Sequence, residues 1–455
     1  MRHIDRRTHN SGVQVLLLAT RQLSTALCFV SLAISAQDLH GGSQAGSIPT
    51  LKANVRQVLV PVAVTDKKGH PVSGLKRTEF VVFEDGAPQQ VVAFSKTYDA
   101  SLETTNQSPG SVAATARSVV APAERVGVAS PTRTYLVCVD TLHSSIANLT
   151  QARHALTKFF QREQDEKAQY ALINLGRQIE VIQDSTRDPS SVLAALASKK
   201  FQRSVVDSGL SDIVSQADIL RKMLLGELPI PGPDLKHQVE MFITSRAERT
   251  AILTRNFQQA LKNVINATAS IPTQRTIVLI SDGFNLVPGR ELVGIARAYF
   301  PEDPEFRFTE RDTQPQLNEL LRLAQKNNVI VYALDSRGLY PPASAGVGDA
   351  SHSGDARMPY QSALNEMMKD EDTVAWENGS AMAQLAAATG GIYFHDNNDL
   401  LAGLHRAFND ERERYVIAYS PSNPSLDGRY RRIRVEVKDK NLRVYAKSGY
   451  WATSE

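Results

Sequence analysis

Two aspartates, each at the end of a short apolar run, are the residues whose types and spacing best suit chemistry in this chain. Asp140 follows the run 134–139, and Asp282 follows the run 275–281 and precedes Gly283. Runs of aliphatic and β-branched residues are typical of strands buried on both faces of a parallel sheet. Open α/β sheets bind ligands at the carboxyl ends of such strands. The sequence therefore predicts that Asp140 and Asp282 share one edge of a sheet.

The sequence carries none of the short signatures by which common hydrolases are identified. It has no Gly-x-Ser-x-Gly elbow, no His-Glu-x-x-His pair and no glycine-rich phosphate loop with a lysine. A phosphatase of the haloacid dehalogenase type needs a second aspartate two residues after the first, and that position is Leu142. Without a nucleophile and a base to assign, the sequence predicts a protein that is not an enzyme. A hydrolase that uses Asp140 and Asp282 is retained as an alternative.

Strand patterns and helix patterns alternate through the region that contains both aspartates. After the strand that ends at Asp140, helical spacing and apolar runs follow one another to residue 414. Such alternation is typical of an α/β fold with a doubly wound, mainly parallel sheet and helices on both faces. The patterns predict helices over 147–163, 189–197, 256–269, 316–327, 380–389 and 399–414, and strands over 170–175, 177–183, 329–335 and 392–394.

Shorter strand patterns lie on both sides of the α/β region. Residues 54–97 alternate strand runs with Lys-Gly and Asp-Gly turns, and residues 415–455 contain strands in which charged and aliphatic side chains alternate. Pro61 within the first run predicts an edge strand or a bulge. Because the first flank alone offers few core residues, we expect the two flanks to build one small antiparallel β unit.

Segments of other composition complete the predicted domain organisation. Residues 1–36 run from basic to apolar to small residues, which is the order of a secretory signal peptide. An uncleaved N-terminal anchor is the alternative, and no other membrane contact is predicted. In either case we expect a secreted, periplasmic or cell-envelope protein. The other predicted segments are a disordered lead-in (37–53), a flexible linker (98–131), the α/β domain (132–414), an insertion within it (about 200–250) and a mobile loop (about 337–372).

Composition excludes several classes of partner. The formal net charge is only +3, and no basic stripe is interleaved with aromatic residues, so we do not expect nucleic acid as a partner. The chain has two cysteines, Cys28 in the predicted signal peptide and Cys138 in the first core strand. The processed chain would keep one buried thiol, which excludes an internal disulfide and a zinc site built from thiolates.

Motifs from three separate regions together resemble a family. The α/β region, about 133–414, resembles a von Willebrand factor type A (vWA) domain through the strand followed by Asp140-x-x-x-Ser144 and through Ile280-Ser281-Asp282-Gly283. The flanks resemble a bacterial branch of exported proteins called von Willebrand factor A-related, as in Glu84-Asp85-Gly86 and Arg431-Arg432-Ile433. The resemblance implies a vWA-like fold for the α/β region.

The family's metal-ion-dependent adhesion site is the feature that the resemblance implies for the sheet edge. In that site an Asp-x-Ser-x-Ser loop, a threonine and a second aspartate hold Mg²⁺ through hard oxygen ligands, and one position is left for a partner's carboxylate. Carried over, the matching residues are Asp140, Ser144, Asp282 and, as a weaker match, Thr254. Leu142 stands where the first serine is required, so the implied Mg²⁺ is bound at low occupancy or is absent.

The function implied by the resemblance is an exported protein-binding or adhesion module with a degenerate metal-ion-dependent adhesion site. It docks a protein partner, acidic if it supplies a carboxylate to the site. His143, which we expect to be exposed, and Asn285 are the predicted partner contacts. The alternative is a structural scaffold of the cell envelope in which the metal site is vestigial.

Overall fold

The computed structural model describes residues 57–96, 133–206, 211–228, 234–300, 311–339 and 379–453. The predicted signal peptide, lead-in and linker lie outside the described residues, as does nearly all of the predicted mobile loop. Within the described residues no helix is both long enough and apolar enough to span a bilayer.

A mixed six-stranded sheet forms the centre of the α/β domain. Its order is β10-β9-β8-β5-β6-β7, with β7 antiparallel to β6 and the other neighbours parallel. The chain builds outward from β5 in one direction and then, from β8, in the other. In an open α/β sheet the crevice at such a reversal is where ligands bind. The strands are β5 (Arg133–Asp140), β6 (Ala168–Leu175), β7 (Ile179–Thr186), β8 (Gln274–Ser281), β9 (Val329–Asp335) and β10 (Tyr393–Phe394).

Burial explains why the central strands are apolar throughout. Every residue of β5, β8 and β9 is buried, because helices cover both faces of the sheet. The edge strand β7 has no fully buried residue. The helices are α1 (Ile146–Phe160), α2 (Pro189–Ala197), α3 (Lys199–Val206), α4 (Ser211–Leu224), α5 (Leu235–Ala267), α6 (Arg290–Tyr299), α7 (Gln314–Lys326), α8 (379–389) and α9 (Leu400–Arg412).

The two faces of the sheet carry separate apolar cores. On one face Tyr135 and Val137 of β5 belong to a cluster that includes residues of α1, α2 and α9. On the other face Leu136 and Cys138 belong to a cluster that includes residues of α5, α7 and α8. Alternate residues of one strand thus serve opposite cores, as the pleat requires. The layers hold the ends of β5 and β8 in fixed positions.

The predicted insertion is a helical layer. Residues about 200–250 contain α3, α4 and the first half of α5, which is one continuous helix of 33 residues. The predicted helix over 256–269 is therefore only the second half of α5. The sequence predicts helical stretches over 201–249, broken at 228–233, but not that the stretch after this break continues into the helix at 256–269. Many charged residues dilute the apolar stripe of the first half, which packs on α4 and α6 through Val239 and Ile243. Helix α6 itself lies in a segment for which the sequence indicates no regular element.

The flanking segments form two four-stranded antiparallel sheets. Their orders are β13-β1-β11-β4 and β14-β12-β2-β3, so each sheet combines strands from before and after the α/β domain. One apolar cluster joins both sheets. The strands are β1 (Val58–Thr65), β2 (Phe80–Glu84), β3 (Ala87–Gln89), β4 (Val91–Ser95), β11 (Tyr415–Tyr419), β12 (Tyr430–Val437), β13 (Arg443–Ala446) and β14 (Gly449–Trp451).

Pro61 lies in a strand that is interior in the sheet order, where a proline is unusual. β1 lies between β11 and β13, but β13 pairs only with the segment from Val62 to Thr65. At Pro61 the strand has only β11 beside it, opposite Val416. The missing N–H therefore removes no bond to β13, so this stretch of an interior strand is locally an edge.

Candidate functional site

The ends of β5 and β8 bring the two predicted aspartates to one edge of the sheet. Asp140 is the last residue of β5, and Asp282 directly follows β8. The strands are parallel neighbours, with Val139 opposite Ile280. We call this edge the rim and define it as residues 140–148, 281–286 and 335–339. It lies at the reversal in strand order described above.

Asp140 organises the loop that follows it. One carboxylate oxygen, Oδ1, accepts the backbone N–H groups of Leu142 at 2.9 Å and His143 at 3.0 Å. The other, Oδ2, accepts the hydroxyl of Ser281 at 2.6 Å and lies 3.0 Å from His143 Nδ1. The side chain is fully buried. Both oxygens are thus engaged, and they fix the turn from β5 to α1 against the end of β8.

Asp282 joins three rim segments. Its Oδ2 accepts the N–H of Ser145 at 2.9 Å and the amide of Asn148 at 2.8 Å, and its Oδ1 accepts the hydroxyl of Ser336 at 2.6 Å. Its own N–H donates to Ser144 Oγ at 3.1 Å. Burial raises the pKa of Asp282, and the three donors partly oppose that shift. Ser145 is the N-cap of α1, so the carboxylate also faces the positive end of a helix.

His143 is buried, and the expectation that it is exposed was wrong. Its relative exposure is 9%, and its ring meets Phe257 edge-on at 5.0 Å and lies 5.8 Å from Phe284. The turn that Asp140 closes folds the imidazole back over the carboxylate and into the core. Its Nε2 is buried and has no hydrogen-bond partner. His143 therefore presents almost no surface to a docking protein.

Thr254, the weaker match for a metal ligand, does not contact the aspartates, and Asn285, a predicted partner contact, is nearly buried. Thr254 lies on α5, is fully buried, and its hydroxyl has no hydrogen-bond partner, so it bonds neither aspartate. Asn285 is 8% exposed, and its Oδ1 accepts the N–H of Val287 at 2.7 Å. Its amide nitrogen is buried without a partner. Of the predicted residues, the rim therefore joins Asp140, Ser144 and Asp282 in one network.

The residues present do not fit an octahedral Mg²⁺ site. Such a site needs oxygen ligands that are free to coordinate. Leu142 supplies none and is buried in the same cluster as Phe257 and Phe284. All four carboxylate oxygens of Asp140 and Asp282 already accept hydrogen bonds, and the imidazole lies against Asp140 where a cation would have to approach. Within the described ranges no group of three or more His, Cys, Asp or Glu residues is arranged to hold a metal.

Three residues that hold the aspartates in place were missed in the sequence. Ser281 bonds Asp140, and Ser336 and Asn148 bond Asp282. A usable signal existed for the two serines, because each adjoins the end of a predicted strand. Asp335, at the end of β9, is held by Arg337 and by the hydroxyl of Tyr393 at 2.9 Å. It lies on the rim but bonds neither of the other aspartates.

Comparison with known proteins gives distant fold matches only. No protein-family profile and no curated protein matches this chain. An aerotolerance-related membrane protein from Bacteroides fragilis NCTC 9343 aligns at TM-score 0.25 and 13% identity, over 61% of this chain and 98% of that one. Proximal thread matrix protein 1 from the mussel byssus, in a form whose MIDAS motif is occupied by zinc, aligns at TM-score 0.28 and 10% identity, over 64% and 49%.

A third solved structure covers more of this chain. The three N-terminal domains of the type V pili tip protein Mfa5 from Porphyromonas gingivalis align at TM-score 0.29 and 10% identity. The alignment covers 88% of this chain and 67% of that chain. With TM-scores below 0.3, none of these alignments decides what this chain binds, and the function below is derived from its own residues.

Proposed function

We propose that this chain is an exported protein-binding module with a vWA-type domain, and that its rim docks a protein partner without a resident metal ion. The observation that carries the proposal is the hydrogen-bonded link between Asp140 and Asp282 through Ser281, Ser144 and Ser145. It lies at the reversal in strand order where open α/β sheets bind ligands. The basic, apolar and small residues of segment 1–36 support export.

The rim is preorganised for contact with another protein. The loops after β5, β8 and β9 are tied together by Asp282, so little conformational entropy is lost when a partner binds. Ile146 at the start of α1 is 47% exposed, and Leu339 after β9 is 60% exposed. Apolar anchors beside a hydrogen-bonded polar centre are typical of the parts of an interface that dominate affinity.

In this proposal the imidazole of His143 takes the place of a cation. It lies against Oδ2 of Asp140, which also accepts the Ser281 hydroxyl, where the family that this domain resembles places a metal. Backbone N–H groups occupy the other oxygen, Oδ1. A partner then meets a fixed surface of side chains and does not need to complete a coordination shell. Binding is therefore expected to be independent of Mg²⁺ and of chelators.

The hydrolase alternative has one feature in its favour and two against it. The pair of Asp140 and His143 resembles the orienting acid and base of a catalytic triad. However, no hydroxyl or thiol among the described residues bonds His143 Nε2, which is buried beside two phenyl rings. Asp140 is fully buried and unreachable for a substrate. The geometry favours a binding role over turnover.

The test places a photoreactive amino acid at Ile146 in the full-length exported protein and identifies crosslinked partners in the producing cells. Leu426, which is 50% exposed in the β unit, is the matched control site. We expect a partner that crosslinks from Ile146 and not from Leu426. This partner should bind the purified Leu426→Asp variant but not the Leu339→Asp variant. A purified partner that binds Leu339→Asp as tightly as the wild type would contradict docking at the rim. Failure of every rim variant to change binding would favour the structural scaffold.

A further inference from the structure

A cleft lies at the seam between the α/β domain and the β unit. It has a volume of about 300 Å³ and is lined by the end of the central sheet at β10, the first turns of α9, and β13. This volume is at the lower end of the range for small-molecule sites. The cleft is separate from the rim network of Asp140 and Asp282, neither of which lines it. The lining residues include two arginines, two aromatic residues and a glycine: Arg406, Arg443, Phe394, Tyr445 and Gly403.

Two guanidinium groups in the cleft are not neutralised by close ion pairs. Arg406 is 25% exposed, and its Nε has no hydrogen-bond partner; Asp410 Oδ2 lies 3.9 Å from it, which is too far for one. The side chain of Arg443 is exposed and makes no hydrogen bond or ion pair with the part of the chain that the structure describes. Two such groups beside one small cavity are a positive site with unused donors.

The acidic side chains that line the same cleft are already engaged. Asp335 is paired with Arg337 and accepts the hydroxyl of Tyr393. Asp399 is the N-cap of α9 and accepts the N–H of Ala402 at 3.0 Å. Neither is bonded to Arg406 or Arg443. Apart from the Nη2 group that Arg406 donates to Tyr445, the donors of the two arginines are not used by these residues.

Aromatic rings give the cleft flat apolar walls. The guanidinium of Arg406 lies 5.4 Å from the ring centre of Phe394 and 5.8 Å from that of Tyr445. Its Nη2 donates to the Tyr445 hydroxyl at 3.3 Å. At Gly403 an added Cβ would lie 3.6 Å from Phe394, so the glycine keeps this wall close to α9. These cation–π contacts hold the planar guanidinium of Arg406 in one orientation, which favours the binding of a carboxylate through two parallel hydrogen bonds.

From this geometry we propose that the seam cleft binds a carboxylate attached to a flat apolar body, with Arg406 and Arg443 holding the carboxylate and Phe394 and Tyr445 holding the body. Arginine donors match the two oxygens of a carboxylate in a way that a single spherical anion does not. The chemistry fits both a free aromatic acid and the C-terminal residue of an aromatic-ended peptide. The proposal does not depend on the function proposed for the rim.

The experiment titrates the full chain with 3-phenylpropionate by calorimetry, with 3-phenylpropionamide as the uncharged control. We expect binding of the acid and none of the amide. Arg443→Gln should weaken binding about tenfold or more, because one charge-assisted contact is lost. The exposed Arg432→Gln, on strand β12 and outside the cleft, should change nothing. Because Arg443 is exposed, circular dichroism should show an intact fold in the variant.

Two further measurements distinguish a free aromatic acid from the C-terminal residue of a peptide and complete the test. Acetyl-Ala-Phe with a free carboxyl terminus, compared with its terminal amide, reports a peptide ligand; binding of 3-phenylpropionate without binding of this peptide identifies a free acid. Chloride, a single spherical anion, should not compete at equal concentration, whereas phosphate, which also takes two arginine donors at once, is not used as a control. The proposal is overturned by equal binding of acid and amide, by equal affinity in Arg443→Gln, by full competition from chloride, or by no binding of either acid probe.

Discussion

Asp140 on the rim and Asp410 on α9 are both buried carboxylates, but their surroundings are opposite. Asp140 accepts hydrogen bonds on both oxygens, whereas Asp410 is 1% exposed and neither of its oxygens has a hydrogen-bond partner. Burial raises the pKa of Asp410 to about 7, against attraction from Arg406 and Arg414. Donors therefore decide whether a buried charge stabilises a fold or destabilises it. Asp140 has those donors and Asp410 does not.

The largest change in the free energy of unfolding is expected from Asp140→Ala, because Asp140 is the acceptor that several donors of the rim share. Asp140→Ala leaves two backbone N–H groups, the Ser281 hydroxyl and His143 Nδ1 without their acceptor in a buried loop. We expect a loss of about 4 to 5 kcal/mol in the free energy of unfolding, measured by urea denaturation. Ser281→Ala removes one of these bonds and also the bond that the N–H of Gly283 donates to the serine hydroxyl, so it should cost about 2 kcal/mol. If the two variants cost the same, Asp140 does not organise the loop.

A substitution of Asp410 on α9 is expected to raise the free energy of unfolding, whereas Asp140→Ala lowers it. The folded pKa of Asp410 is raised to about 7 from its ordinary value of 3.8, so folding takes up a proton between these pH values. Stability contributed by the neutral carboxyl is complete below this window and is lost as the pH rises through it, by about 4 kcal/mol at full ionisation. Asp410→Asn should therefore be more stable than the wild type near pH 8 by about 2 to 4 kcal/mol.

The pH dependence provides the control for this substitution. Near pH 4 most of the advantage of Asp410→Asn should disappear, because the wild-type carboxyl is then neutral in the folded state and only partly ionised in the unfolded state. The charged and titratable groups around it, Arg406, Glu411, Arg414 and Tyr332, stay unchanged in the variant. The exposed Asp184→Asn should show no such dependence. An advantage that is equal at both pH values would mean that the carboxyl is not destabilised by its charge.

A smaller effect is expected at Asp282. Asp282→Asn removes a largely buried charge, which is favourable, and its amide oxygen can still accept from Ser145 and Asn148, but its NH2 group replaces the oxygen that accepts the Ser336 hydroxyl. The two terms oppose each other, so we expect a net loss of about 1 to 2 kcal/mol in thermal or urea unfolding. A loss as large as that of Asp140→Ala would contradict this, because it would mean that Asp282 is as important for the fold as Asp140.

The smallest effect is expected from metal ions. Millimolar Mg²⁺ should shift the unfolding free energy of the wild type by less than about 0.5 kcal/mol, because no free ligand set is available to bind it. Leu142→Ser with His143→Ala supplies the missing hydroxyl and frees one side of Asp140, so Mg²⁺ should stabilise this double variant measurably. Calorimetric heat with the wild type that disappears in Asp140→Asn would show that the imidazole does not replace a cation.

The parts of the fold that the sequence predicts well are those set by local patterns. The apolar runs before Asp140, Asp282 and Asp335 form strands that end at or just before these residues, and α2 has the predicted bounds, Pro189–Ala197. A buried central strand must be apolar throughout, and Asp188 with a proline in the first turn marks a helix start. These signals need no knowledge of distant residues.

The side-chain network of the rim was not predictable in the same way. The burial of His143 depends on a turn closed by Asp140 and on Phe257, which comes from a helix more than a hundred residues later. The first half of α5 depends on α4 and α6, which cover its apolar stripe. A fully engaged carboxylate and a free metal ligand have the same sequence signature, since both are an aspartate at a strand end. Only the tertiary contacts distinguish them.

The interleaving of both flanks in the β unit sets the order of assembly. Among the described strands, β1 pairs with β11 and β13, and β2 pairs with β12 as well as with β3. Strands β11, β12 and β13 are made after the whole α/β domain. Until then the early strands have unpaired edges and must be kept from associating with other chains. A ribosome that makes this chain from its N-terminus therefore completes the strands of the α/β domain before β11, β12 and β13, and the β unit can form only once these later strands are made.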